Sequence, residues 1–229
     1  MHYLEPPLPF TFLSESRLYM CKYMIFLLLC SIVFLRSAYM SVVLPITPLH
    51  QDHGLSCEAC CVKMYLSSLG IQSTEDDIIS RFGYNPRRRN LYLNTWENPS
   101  TMFVGYVDGK QGTDGWGVLA PPVVRTLKTL SGVDMLHEPK SLSQISACIS
   151  RGFPVISWIG SEGLDCWKDQ KGNTVVVPSR EHCLLMCGYS GTVDFPIEFY
   201  VNDPDRGQMS RISAPFFIKN LFHSIAATH

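Results

Sequence analysis

The chain has 229 residues and is 46% hydrophobic, which is enough apolar material for one ordinary domain with a core and excludes a disordered chain. Its 19 basic and 20 acidic residues give a formal net charge of -1, so the chain has no general electrostatic attraction for nucleic acid. The basic run Arg87–Arg89 is typical of a solvated loop. We therefore predict that nucleic acid is not a partner.

The N-terminal segment differs in composition from the rest of the chain. Arg17 and Lys22 precede an unbroken apolar run over residues 23–35. This run matches the apolar region of a secretory signal and is shorter than the roughly 20 residues that cross a bilayer. We therefore predict that residues 1–40 form a signal peptide or an N-terminal membrane anchor, and that residues 41–229 form the functional domain.

Three interpretations of this leader remain open. A cleaved signal predicts a secreted or extracytoplasmic protein. An uncleaved anchor over residues 18–35, interrupted by the charge of Lys22, predicts association with a membrane. A helix buried in the core of the domain is the third interpretation.

Cysteine is abundant in this chain. Of nine cysteines, Cys21 and Cys30 lie in the predicted leader, which leaves seven in the domain. In an oxidising compartment an odd number leaves at least one thiol unpaired, and catalysis is one reason for a free thiol there. The other interpretation is that most of these cysteines are small buried hydrophobic residues.

Apolar spacing predicts two helices near the start of the domain. The first begins near Cys57 and stops at Gly70, and the second has a capped, acidic start over residues 73–77 and stops at Gly83. The segment over residues 84–117 is rich in Gly, Asn, Pro and aromatic residues and is too long for a simple connector. We predict that it is a structured functional loop.

The sequence pattern changes period in the second half of the chain. Two more helices are predicted over residues 121–130 and 141–149, and segments typical of strands follow them. The predicted strands cover residues 155–159, 183–189 and 199–201, and a terminal helix covers residues 214–225. Helices first and strands later predict an α+β fold in which an N-terminal helical layer packs on an antiparallel β-sheet.

Cys57 stands where a catalytic thiol is expected. A thiol attacks a carbonyl as its thiolate, and a helix N-terminus favours that charge through its dipole and free N–H groups. His182 heads a predicted strand and Asp203 follows the next one, so pairing of those strands would bring an imidazole and a carboxylate to one edge of the sheet. Gln51, shortly before Cys57, carries an amide suited to an oxyanion.

The order Gln, Cys, His and Asp, with the residues around each, resembles the papain-like cysteine peptidases of the bacteriocin-processing, double-glycine-leader type, and particularly their stand-alone relatives. The resemblance covers most of residues 44–225. The pieces that match are Gln51–Ala59, Trp96–Pro99 with Phe103–Gly105, Gly115–Val118 with Ala120–Pro122, Glu181–His182 with Gly188–Tyr189, and Val201–Pro204. Cys60 and Cys61 depart from the family, in which small apolar residues are expected at these positions.

The resemblance implies a papain-like fold and hydrolysis of a peptide bond, or of a related amide bond, through a thioester. It assigns Cys57 as the nucleophile, His182 as its base and Asp203 as the residue that orients the base. It assigns Gln51 as the oxyanion donor, and it implies a peptide or protein substrate and no cofactor or metal. No transporter domain is expected in this chain, so the export-coupled role of transporter-linked members is not carried over.

Two other functions would use the same residues. A closed zinc site is one, with soft ligands from Cys57, Cys60, Cys61, His182, Cys183 and Cys187, although core packing also explains these cysteines. A catalytically silent peptide-binding module of the same fold is the other. In a peptidase as in a silent module, the aromatic residues of segment 84–117 either cover the cleft or form a satellite hydrophobic cluster, and both interpretations remain open.

Overall fold

The computed structural model describes residues 19–20, 22–27, 41–135 and 138–227. The chain divides into two compact units, Met1–Met40 and Ser41–His229. In the first unit residues 22–27 are helical, and most of the predicted leader over residues 1–40 lies outside the described residues. Within the described ranges no helix combines the length and the apolar character needed to cross a membrane. The leader and the localisation therefore stay predictions.

The larger unit is organised on an antiparallel sheet. Its strands, together with those of a smaller sheet, are β1 (Ser41–Val43), β2 (Tyr84–Asn85), β3 (Phe103–Gly105), β4 (Gly115–Gly117), β5 (Val155–Lys168), β6 (Thr174–Gly191), β7 (Pro196–Asp203), β8 (Gln208–Ser213) and β9 (Leu221–Ala226). The main sheet has the order β8-β7-β6-β5-β9, and β1 also pairs with β6. Every one of these pairs is antiparallel. The smaller sheet has the order β2-β3-β4.

Capping residues set the limits of the helices. The helices of this unit are α1 (Cys57–Ser68), α2 (Glu75–Phe82), α3 (Ala120–Ser131), α4 (Leu142–Ser150) and α5 (Ala214–Asn220). The side chain of Thr74 accepts a hydrogen bond from the N–H of Asp77, and α2 ends at Gly83. Helix α3 begins with prolines in its first turn and ends at Gly132, whose φ of 70° is left-handed. These limits agree with the helices predicted from the sequence.

Alternation along β6 divides the core between the two faces of the main sheet. Cys183, Leu185 and Cys187 belong to a core cluster with residues of α1, α2 and α3, whereas Leu184 and Met186 belong to a second cluster with residues of α4 and α5. The predicted helical layer is therefore present on one face, and a second layer that was not predicted covers the other. The α+β fold class is confirmed.

A third cluster lies beside the main core. It consists of Trp96, Val104, Trp116, Trp167, Val175 and Val177. Trp96 and Trp116 come from segment 84–117, so the satellite-cluster interpretation holds for these two residues. Tyr92 is different, because it is 95% exposed.

Arg89 contradicts the prediction of a solvated basic loop. Its guanidinium forms an ion pair with Asp165 at 2.8 Å, and only 10% of its side chain is exposed. The guanidinium also lies 5.3 Å from the ring centroid of Trp167. Arg89 therefore ties segment 84–117 to the hairpin of β5 and β6.

The end of the chain also differs from the prediction. Helix α5 ends at Asn220, and residues 221–226 form β9, which pairs with β5. The predicted helix over residues 214–225 is wrong in its second half, because an open edge of β5 is available only in the folded sheet and overrides local helix preference. Strand β8 was not predicted, since its residues are mostly polar and lie at the sheet edge.

Candidate active site

Cys57 is the first residue of α1, and it is 6% exposed. Ser56 precedes the helix but does not cap it through its side chain. The Ser56 hydroxyl instead bonds to Glu75 and to the carbonyl of His53. The first N–H groups of α1 are therefore not taken by this hydroxyl, and the positive end of the helix dipole lies beside the Cys57 thiol.

His182 and Asp203 are joined through their side chains. Nε2 of His182 lies 2.8 Å from Oδ1 of Asp203. The two residues lie on β6 and β7, which pair antiparallel, so strand pairing brings them together as expected. The prediction that His182 heads its strand was wrong, because β6 already begins at Thr174. Since Nε2 faces the carboxylate, Nδ1 is the nitrogen left to exchange a proton with a thiol.

Asp203 is held as a carboxylate. Its burial opposes ionisation, but the hydrogen bond and charge of His182, the N–H of Asp205 and the charge of Arg206 outweigh it, so the pKa of Asp203 is lower than usual. The Arg206 guanidinium lies 3.4 Å from Oδ2. Both carboxylate oxygens are therefore engaged, which fixes the plane of the carboxylate and the ring of His182.

A small cavity collects most of the predicted site. Its volume is about 180 Å³, and its walls include Gln51, Cys57, Trp116 and His182. Asp203 is not among the lining residues and reaches the cavity through His182. The hydrogen bond that the Cys57 thiol donates is directed to Glu58, not to the imidazole. The structure therefore brings Cys57 and His182 to one cavity without bonding them to each other.

Gln51 lies at the cavity with its amide already engaged. Its Nε2 donates to the carbonyl of His53 at 2.7 Å and to that of Gly54 at 3.0 Å. These two acceptors match the two hydrogens of the amide, and the side-chain oxygen is buried without a partner. Gln51 thus holds the turn that leads into α1, and its role as an oxyanion donor stays a prediction.

Two buried carboxyl groups complete the surroundings of the thiol, and sequence reasoning missed both. Glu58 is 0% exposed and Glu181 is 6% exposed. Oε2 of Glu58 accepts a hydrogen bond from the Cys57 thiol at 3.4 Å, and its Oε1 accepts one from the N–H of Val118 at 2.7 Å. The signal that the sequence offered was their position next to Cys57 and His182, because a charged residue beside each reactive group is unusual in a core.

The two carboxyl groups affect the pKa of the Cys57 thiol. Burial raises the pKa of Glu58 to about 7, against the hydrogen bond from Val118. Burial and then the charge of Glu58 raise the pKa of Glu181 well above its usual range. Burial, followed by the charges of Glu58 and Glu181, also raises the pKa of Cys57. The thiol is therefore protonated in this arrangement.

The predicted zinc ligands do not gather into one site in the described part of the chain, although the side chains of Cys61 and Cys183 are hydrogen-bonded to each other. Among the described residues, the metal-type ligand atoms that lie within 4.8 Å of one another belong to Cys57, Glu58 and Glu181. We interpret this cluster as a site that binds protons and not a metal ion, because Glu58 already accepts hydrogen bonds on both oxygens. The thiols of Cys60 and Cys187 donate to backbone carbonyls instead.

The seven cysteines of the described part of the chain are all free thiols. Six of them are buried, and Cys166 is exposed. Burial raises the pKa of Cys60 well above its usual value and that of Cys187 to about 12, which agrees with a packing role.

A comparison with protein-family models shows which family the chain belongs to. The model of the Peptidase_C39 like family matches residues 43–222. The chain belongs to this family. The C39-like match contains Cys57, His182, Asp203 and Gln51, so all the predicted site residues lie within the region that the family shares.

A solved structure agrees with the C39-like assignment. The crystal structure of a Bacillus anthracis protein, named as a candidate C39-like peptidase, matches with a TM-score of 0.65 and 18% sequence identity. The match covers 83% of this chain and 98% of that chain. At this identity the match establishes the C39-like fold and no more. Curated protein sequences give no significant match.

Proposed function

We propose that this C39-like chain is a cysteine peptidase in which Cys57 is the nucleophile, His182 its base and Asp203 the residue that orients the base. The observation that carries the proposal is the shared cavity, which is lined by Cys57 at the start of α1 and by His182, bonded to Asp203 at 2.8 Å. A thiol at a helix N-terminus and an oriented imidazole are the parts that nucleophilic catalysis by cysteine requires.

The first half of the proposed reaction forms a thioester. Nδ1 of His182 takes the thiol proton, and the thiolate of Cys57 attacks the carbonyl carbon of the substrate. The carbonyl oxygen becomes an oxyanion, for which the N–H of Cys57 is a donor at the start of the helix. The oxyanion then re-forms the carbonyl, the C–N bond breaks, and the imidazolium returns its proton to the leaving amine.

The second half releases the acid. His182 removes a proton from water, and the resulting hydroxide attacks the thioester carbon. The C–S bond breaks, the carboxylic acid leaves, and the imidazolium protonates the thiolate of Cys57. Asp203 keeps the imidazole ring in place and stabilises its charged form in both halves.

The thiol hydrogen must turn before the first step. In the structure the Cys57 thiol donates its hydrogen to Glu58 at 3.4 Å, so this hydrogen must be redirected before His182 can take it. Gln51 would likewise have to release a backbone carbonyl to donate to the oxyanion. The structure thus corresponds to a resting state of the proposed enzyme.

Alkylation of the thiol followed by mass spectrometry tests the proposal. Cys166 is exposed and would react first for trivial reasons, so the protein to use is the Cys166→Ser variant. We expect rapid, single labelling at Cys57 near neutral pH and loss of that labelling in His182→Ala. Equal labelling of Cys57 in both proteins would contradict a Cys–His pair.

Turnover needs a separate assay. We propose the double-glycine-leader type as the specificity, on the sequence resemblance alone, so the peptide panel should contain matched substrates with and without Gly-Gly before the scissile bond. Cleavage of the Gly-Gly peptides by the full chain, and its absence in Cys57→Ala, would support that type. Cleavage of other peptides alone would support a peptidase of different specificity.

A catalytically silent peptide-binding module is the second candidate. The observation that favours it is that both reactive groups are engaged, the thiol with Glu58 and the amide of Gln51 with backbone carbonyls. Such a module would bind peptides without cleaving them and would leave Cys57 slow to alkylate. The labelling experiment therefore separates the two candidates.

We also propose an extracytoplasmic location. The support is the apolar run over residues 23–35 with its basic flank. The N-terminal sequence of the protein recovered from its natural cells tests this. A new N-terminus near residue 41 would indicate a cleaved signal, whereas an intact N-terminus in the membrane fraction would indicate an anchor.

A further inference from the structure

The connection between β4 and α3 is shaped around one carboxyl group. The N–H of Val118 donates to Oε1 of Glu58 at 2.7 Å. Gly117, the last residue of β4, has a φ of 114°, and a Cβ atom at this position would overlap Oε1 of Glu58. The backbone therefore provides both a hydrogen-bond donor and the space that the buried carboxyl of Glu58 needs. This indicates a specific binding position for the carboxyl group.

The seated carboxyl faces the proposed nucleophile. Its second oxygen, Oε2, accepts the Cys57 thiol at 3.4 Å. Glu181 approaches the same point from β6, since the ligand-type atoms of Cys57, Glu58 and Glu181 lie within 4.8 Å of one another. Oε1 of Glu181 is buried and has no hydrogen-bond partner. Three acidic groups therefore meet in a region with little water-exposed surface.

The other groups around this point supply little positive charge. The titratable groups that act on the three acidic residues from the packed elements are Cys61 of α1 and His182 and Cys183 of β6. The backbone of Cys183 also forms a hydrogen bond with the Cys57 thiol. Because buried like charges repel strongly, Cys57 and Glu58 cannot both be ionised at low cost. Ionisation of one must suppress ionisation of the other.

We propose that Glu58 is a positioning residue that acts through Cys57 and controls when the thiol can react. An ionised Glu58 accepts the hydrogen of the thiol and keeps that hydrogen from His182. A neutral Glu58 no longer repels the thiolate and donates its own hydrogen to it. This inference rests on the proposed function, since it assigns the event that Glu58 controls to the proton transfer from Cys57 to His182.

The proton balance of the reactive state is simple. The S–H bond of Cys57 breaks and an N–H bond forms at Nδ1 of His182, while Glu58 keeps the proton that it already holds. The result is a thiolate and an imidazolium beside a neutral carboxyl. Burial supports this state, because it keeps Glu58 largely protonated up to the pKa of about 7. The reactivity of Cys57 should therefore be restrained on the alkaline side by the charge of Glu58.

The pH profile of Cys57 alkylation tests the inference. The proteins are the full chain with Cys166→Ser and the same chain with Glu58→Gln added, with a chelator in every sample. We expect Glu58→Gln to raise the alkylation rate at pH 8 by at least about tenfold and to move the midpoint of the profile down by about one pH unit or more. An unchanged profile, or slower alkylation, would overturn the inference.

A matched control separates this effect from the loss of any buried carboxyl. Glu97 is also buried, at 4% exposure, and accepts from Asn85 away from the cavity. Glu97→Gln should leave the profile of Cys57 unchanged. A shift in Glu97→Gln equal to that in Glu58→Gln would overturn the inference.

Two further measurements separate a failure of the Glu58 inference from misfolding of the variant and from a failure of the proposed peptidase function. If Glu58→Gln fails to fold, infrared spectroscopy of the parent protein decides, because the inference requires a buried carboxylic acid that titrates near pH 7. The absence of that band would overturn it. The His182→Ala variant tests the proposed function independently: loss of labelling there, together with no effect of Glu58→Gln, would refute the role of Glu58 and retain the peptidase.

Discussion

Nε2 of His182 and Oδ1 of Asp203 lie 2.8 Å apart, and the same carboxylate accepts the N–H of Asp205 at 3.1 Å. The Arg206 guanidinium approaches the other oxygen. Asp203 is therefore fixed by its own turn as well as by the histidine, and the imidazole is oriented by a group that cannot easily rotate.

This geometry predicts a graded result at the two positions. We expect His182→Ala to abolish turnover and rapid alkylation of Cys57, because it removes the group that moves the proton. Asp203→Asn should keep measurable amounts of both, since a neutral amide still orients the ring and a thiolate–imidazolium pair depends less on the third residue than a serine enzyme does. Steady-state kinetics and alkylation rates measure both effects, with circular dichroism to check folding. Equal losses in the two variants would contradict the division of roles.

The cysteines of α1 should separate by function. Cys57→Ala should eliminate hydrolysis, because only this thiol lies at the helix start and in the cavity. Cys60→Ala and Cys61→Ala should retain most activity and lose about 1 kcal/mol of stability each, as buried small residues do. Turnover and chemical denaturation of the three variants provide the check. Similar loss of turnover in all three would instead indicate a metal or packing role for the cysteines.

Gln51→Ala should lower turnover by about 10 to 1,000-fold, the scale for one oxyanion donor. The readout that identifies this role is alkylation, because attack on an alkylating probe needs no oxyanion donor. We therefore expect the alkylation rate of Cys57 to change little. A parallel fall in both rates would mean that Gln51 acts through the backbone turn at His53 and Gly54, to which its amide is bonded.

The close contact between Glu58 and Gly117 predicts that substitution of this glycine is unusually destabilising. Gly117→Ala combines a left-handed φ of 114° with overlap of the Glu58 carboxyl. Gly132, with a φ of 70° and no atom within 4 Å of an added Cβ, is the matched control for the backbone cost alone. Gly132→Ala should lose about 1 to 2 kcal/mol of unfolding free energy, and Gly117→Ala should lose clearly more. Equal losses by urea denaturation would show that the carboxyl moves aside freely.

The buried Glu58 also predicts how stability depends on pH. Its pKa is raised from 4.5 to about 7, so between these values the folded protein binds more protons than the unfolded chain. The free energy of unfolding therefore falls as pH rises through this window. Glu58→Gln lacks the titration and should gain stability relative to the parent protein from pH 4.5 to about 7, while Glu97→Gln serves as the control. Parallel curves of melting temperature against pH would contradict this prediction.

Local signals predicted the parts of the site that depend on one element or on neighbouring strands. The start of α1 at Cys57 follows from apolar spacing and a stop at glycine, and the meeting of His182 with Asp203 follows from pairing of β6 with β7. Glu58 and Glu181 could not be found in this way. The carboxyl of Glu58 is held by Val118 and abuts Gly117, which come from a distant connection, and Glu181 becomes buried beside Glu58 only when β6 packs on α1. In the sequence each of them looks like a surface charge.

Other errors have the same origin. Arg89 reads as part of a solvated basic run, yet Asp165 on the β5–β6 hairpin binds it. Residues 221–226 continue a helical pattern, yet the edge of β5 recruits them as a strand. In both cases the deciding partner is far along the chain, where a pattern of neighbouring residues carries no information about it.

Trp116 links the cavity to the satellite cluster. It lines the cavity, and its ring centroid lies 6.3 Å from that of Trp167, which in turn lies 5.5 Å from that of Trp96. A peptide that enters the cavity would change the polarity around the first of these indoles, and excitation energy would spread to the other two. Intrinsic tryptophan fluorescence should therefore report whether the cavity is occupied. Peptide binding can then be followed in an inactive variant without any added label.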